Sequence, residues 1–105
     1  MATYKVLGQS FPSGSTLTTL YTAPSEAVAS TLSVCNQSSA ATSFRVAVRP
    51  GGEAINPKHY VAYDTAVNAN DTVFLTLGMS LSGSDVVSVY ATTSSISFNL
   101  FGAEI

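Results

Sequence analysis

Residues 42–49 read Thr42-Ser43-Phe44-Arg45-Val46-Ala47-Val48-Arg49, and their period is two. Phe44, Val46 and Val48 fall on one side of an extended chain, with Arg45, Ala47 and Arg49 on the other, as in a strand with one buried face. No stretch of the sequence sustains the i, i+3, i+4 spacing of an amphipathic helix. Outward from this segment, β-branched and aromatic enrichment predicts further strands at 3–9, 17–22, 28–34, 58–63, 72–77, 85–91 and 95–101. Turn chemistry separates them: Pro12-Ser13-Gly14, Pro24-Ser25, Asn36 to Ser39, Pro50-Gly51-Gly52, Asn68 to Asp71 and Ser82 to Asp85. One helical turn is expected near Asn56-Pro57. The spacing predicts an all-β chain, a single-domain antiparallel β-sandwich of about eight strands over residues 1–105, with jelly-roll and Ig-like topologies both open. Its expected core is Leu32, Val34, Phe44, Val46, Val48, Val73, Leu75, Leu77, Val87, Val89, Ile96, Phe98 and Leu100.

A chain of 105 residues has room for one core. Lys+Arg number 4 and Asp+Glu 6, a net charge of −2, so no basic stripe exists to neutralise phosphates and no nucleic acid is expected as partner. Charged residues make up 10% of the chain against about 25% in ordinary soluble domains. Ser and Thr supply roughly a quarter of it, which disfavours helices because their hydroxyls compete for backbone hydrogen bonds. The first residues lack the apolar run of a secretory signal, so the chain is expected to begin as mature protein. Thr92 to Ser95 and Asn99 interrupt the apolar C-terminal segment, so no membrane span is expected.

No catalytic constellation emerges, and the chain is read as a non-enzyme without cofactor or metal. A serine hydrolase needs an imidazole oriented by a carboxylate. The single histidine, His59, is read as a surface or packed strand residue. His59 and Cys35 cannot complete a zinc shell; Cys35 is expected to behave as a small buried hydrophobe. Asn68, Asn70 and Asp71 are read as turn residues rather than cation ligands. Glu26, Glu53, Asp64, Asp71, Asp85 and Glu104 lie at turns or termini, not as a paired acid and nucleophile. Tyr4, Tyr21, Tyr60, Tyr63 and Tyr90 leave a weak carbohydrate-binding alternative, stacking on pyranose rings.

Several strands are apolar on both faces. Phe74 lies opposite Val73, Leu75 and Leu77; Val86 and Tyr90 lie opposite Val87 and Val89; Phe101 and the terminal Ile105 also lack an obvious place in the core. A sandwich's outer faces normally read polar, so Phe74, Val86, Tyr90, Phe101 and Ile105 are the candidate interface residues of a homo-oligomer.

Taken together, Val34 to Ser38, Phe44 to Gly52, Lys58 to Asp64, Asn70-Asp71, Leu75 to Gly78, Asp85 to Tyr90 and Ser97 to Ile105 resemble a family of small structural proteins of tailed bacteriophages, those of cyanophages in particular. The resemblance runs from about Leu7 onward. It implies a virion protein synthesised in the host cytoplasm, most readily a capsid decoration or cement protein contacting the major capsid protein or other virion proteins. A homotrimer is implied by analogy with decoration proteins at local three-fold positions. A tail, baseplate or fibre component, with a sugar-binding host-recognition role, is the alternative.

Overall fold

The structure, a computed structural model, describes residues 2–105. The strands are β1 (Thr3–Ser10), β2 (Thr18–Thr22), β3 (Ala27–Asn36), β4 (Thr42–Arg49), β5 (Tyr60–Val67), β6 (Thr72–Leu81), β7 (Val86–Ala91) and β8 (Ile96–Glu104). Two short 3₁₀ turns, Pro50–Gly52 and Pro57–His59, are the helical segments among the described residues. The sequence placed β5 early. Pro57 opens its turn after Asn56, whose side chain accepts a hydrogen bond from the Lys58 N–H, so Lys58 and His59 belong to the turn and extension begins at Tyr60.

Two four-stranded sheets form, one ordered β1-β8-β3-β6 (sheet A) and the other β2-β7-β4-β5 (sheet B). Every pairing is antiparallel, and β1 with β8, β2 with β7, β3 with β6 and β4 with β5 are all partners. A long double ribbon rolled into two sheets produces those four pairs, and this is jelly-roll topology. The question left open between jelly-roll and Ig-like is thereby decided. An Ig sandwich would instead group its strands ABED and CFG.

Between the sheets, Phe44 and Phe98 meet edge to face with centroids 6.2 Å apart, among fully buried Leu32, Val34, Val46, Val87, Val89, Ile96 and Leu100. Val48, Val73, Leu75 and Leu77, expected in the core, point inward but are only partly buried. Period-two reading missed Leu7 and Leu20, which are buried. Each sits where a β-bulge breaks the register, Leu7 in β1 and Leu20 in β2, so an extra residue turns inward out of phase. The two bulges meet at Gly8, where a Cβ would collide with the Leu20 carbonyl.

Asn36 joins the loops at one end of the sandwich. Its side chain, 1% exposed, donates to the carbonyls of Ala40 (2.9 Å) and Asn68 (3.1 Å) and accepts from Ser38 N (3.0 Å) and Ser95 Oγ (3.1 Å). At the other end, Asp85 accepts from Gly51 N (2.8 Å) and Ser82 N (2.9 Å). These backbone donors hold its carboxyl below the usual carboxylate range.

Candidate interaction surfaces

The five candidate interface residues do not share one surface. Val86 and Tyr90 project from the outside of sheet B; for Val86 the expectation is corrected, because the chain covers it itself, whereas Tyr90 stays partly exposed. After β4, residues 50–59 fold back over the outer face, with Gly52 against the Val86 side chain and Arg49 donating to Ser88 Oγ (3.2 Å) and the Glu53 carbonyl (2.9 Å). His59 fixes this loop. Its Nδ1 accepts from Asn56 N (3.1 Å), and its Nε2 lies 3.2 Å from Glu53 Oε1. As a result Val86 is 7% exposed, and outward Ala47 and Ser88 are buried as well. His59 is thus a packed residue, in a turn rather than a strand, with both ring nitrogens engaged.

Tyr90 is roofed by Arg45, whose guanidinium carbon lies 4.4 Å from the Tyr90 ring centroid and 4.1 Å from that of Tyr63. Asp64, at φ 49 in a bulged part of β5, orients the guanidinium at 2.7 and 3.4 Å and raises the arginine's pKa. Tyr60 meets Tyr63 edge-on at 5.0 Å. Ile55, Asn56, Pro57, Tyr60 and Tyr63 line an open cleft of about 550 Å³ beside this stack.

Sheet A differs. Its register places four rows on the outer face: Tyr4-Ala103-Val28-Ser80, Val6-Phe101-Thr31-Thr76, Gln9-Asn99-Ser33-Phe74 and, from β8 onward, Ser97-Cys35-Thr72. None of the ten charged side chains (4 + 6) appears in these rows. Cys35 is therefore half-buried on the outer face, not in the core as expected. Tyr4, Val6, Val28, Phe101, Ala103 and Ile105 make an apolar patch around a shallow groove of about 730 Å³, with Lys5 and Ser30 at its edge. Tyr4 is 85% exposed and Ile105 59% exposed there. Phe101 and Ile105 thus belong together, with Tyr4 and Val6, which sequence reading left out. The polar row of Gln9, bonded to Asn99 at 2.7 Å, and Ser33 separates them from Phe74, which stands 68% exposed on β6 at the sheet edge.

Along the rim, Lys5 Nζ and the Tyr21 hydroxyl donate to the two Glu104 oxygens at 3.0 and 2.6 Å. Tyr21 is on sheet B, so this carboxylate ties the last strand across the sandwich. Both donors keep Glu104 below its ordinary pKa, while burial first, and then Glu104, push the Tyr21 phenol up.

Phe44, Phe98 and Ile96 fill the space between the sheets where a ligand-binding barrel would hold its cavity. Among the described residues no three His, Cys, Asp or Glu side chains are grouped to hold a metal ion. Asn70, at φ 52, donates its N–H to the Ser38 carbonyl (2.9 Å), and Asp71 Oδ1 accepts from Thr72 N (2.8 Å), as turn residues do. Among the described residues no helix is long and apolar enough to cross a membrane. The chain matches no protein-family model, no curated protein and no solved structure.

Proposed function

We propose that this protein is a bacteriophage virion structural protein of the capsid decoration or cement type, self-associating and fastened non-covalently to a shell of coat subunits. The observation that carries the reading is the apolar patch on the outer face of sheet A, where Tyr4, Val6, Phe101 and Ile105 are exposed around a groove with Lys5 at its edge. Surface apolar area of this kind is characteristic of a docking site, and a four-stranded face presents it on a rigid base. Jelly rolls recur in viral coats, which supports the reading by analogy alone, as does the sequence resemblance. Three copies joined through this patch fit the three-fold analogy. Quantitative gel analysis of purified particles tests the placement. Stoichiometry comparable to the major coat protein supports head decoration, and a few copies per particle would move the protein to the tail or fibre.

A second reading draws on the Tyr60–Tyr63 cleft. Two rings set at right angles beside the fixed Arg45–Asp64 pair offer stacking and hydrogen bonding to a neutral pyranose, as a host-recognition module requires. NMR titration with neutral oligosaccharides tests it: shifts confined to Tyr60, Tyr63 and Asn56 support the cleft, and an unchanged spectrum removes it.

A further inference from the structure

The four sheet edges are not alike. β1 carries Lys5 and a bulge at Leu7; β2 has five residues and a bulge at Leu20; β5 carries Asp64 and two register breaks. A charge, a bulge or shortness of this sort keeps an edge from pairing with another chain. β6 runs ten residues without charge or proline. Its register against β3 is regular from Thr72 to Thr76, and its irregularity is confined to the far side, around Gly78 at φ 60. The sandwich is also unclosed along this side. Val73, Leu75, Leu77 and Met79 point inward from β6 yet remain partly exposed, as do Val48 and Ala62 on sheet B.

We propose that residues 73–77 of β6 pair antiparallel with the same residues of a second copy about a two-fold axis, extending sheet A across the two subunits and closing the apolar margin. A second copy is the favoured occupant because an isologous contact sets the partly exposed Val73, Leu75 and Leu77 of one copy against the same three residues of the other, apolar on apolar, and β6 has no charge to repel its copy. A register centred on Leu75 opposite the partner copy's Leu75 keeps inward residues inward, sets Val73 opposite the partner copy's Leu77, and sets Phe74 opposite the partner copy's Thr76, a stabilising aromatic and β-branched pair. The inference rests on the self-associating half of the proposed function but uses a surface separate from the Tyr4–Phe101 patch. Contacts of two different symmetries on one domain are what a continuous net of copies needs.

The test uses the full chain in solution. Hydrogen exchange is followed in β6 across a range of protein concentration, and in parallel Leu75→Cys is oxidised in a Cys35→Ser background. The inference expects amides within 73–77 to slow by about tenfold or more as concentration rises, and a disulfide-linked dimer of the cysteine variant. Thr76→Lys, on an exposed position, should abolish the concentration dependence while the circular-dichroism spectrum stays that of the parent. Phe101→Ser should leave it intact, so failure at β6 and failure at the Tyr4–Phe101 patch are told apart. Exchange in 73–77 that is independent of concentration, or protection that appears in β1 and β8 alone, would overturn the inference.

Discussion

The Tyr21 hydroxyl on β2 donates a 2.6 Å hydrogen bond to Glu104 on β8, linking the two sheets at the end of the sandwich where the apolar patch lies. Lys5 completes the carboxylate's contacts at 3.0 Å. The last strand, which carries Phe101 and leads to Ile105, is thereby fixed to the body of the domain rather than left to fray.

This link makes stability depend on pH in two directions. Glu104 is lowered in the fold, so its contribution is present above the ordinary carboxylate range and is lost as pH falls below about 4 through the folded value. Tyr21 is raised, so its contribution is present below about 10 and is lost as pH climbs beyond that. Thermal melts across pH should show Glu104→Gln destabilising at neutral pH, with the gap to the parent closing in acid.

Phe44→Ala should destabilise the protein by about 3–5 kcal/mol, the usual range for emptying a fully buried phenylalanine site. Urea denaturation measures this as a lowered midpoint at unchanged slope.

Val86 and Phe101 should behave oppositely. Val86→Ser removes a side chain buried under the chain's own loop and should lower monomer stability by about 1.5–3 kcal/mol. Phe101→Ser, combined with Tyr4→Ser, should leave the melting temperature nearly unchanged but weaken self-association in sedimentation velocity.

Asn36→Ala should strand the carbonyls of Ala40 and Asn68 and the Ser95 hydroxyl without their buried partner. Leaving such groups unsatisfied costs about 1–3 kcal/mol, and amide exchange should speed first in the loops that Asn36 joins.

How far the fold was legible follows from particular residues. Phe44, Val46 and Val48 announce their strand because period two follows from backbone geometry alone. Leu7 and Leu20 did not, because a bulge shifts the phase by one residue and nothing local marks it. Phe74 and Phe101 were read correctly as outward, but whether they share a patch depends on strand order, which a list of strands does not contain. Val86 was assigned to the right face and the wrong environment: alternation gives direction, while the loop that returns over it is held by Arg49, His59 and Glu53, contacts that form only in the folded chain. Tyr90 lies outward and half-buried, its ring under Arg45 of the neighbouring strand.

Cryo-electron microscopy of a virion carrying this chain tests the proposal that the outer face of sheet A is an assembly surface in a phage particle. Many copies are expected on the head, with Tyr4, Val6, Phe101 and Ile105 covered by protein. Copies standing singly with those four side chains facing water, or particles that lack the chain, would contradict it.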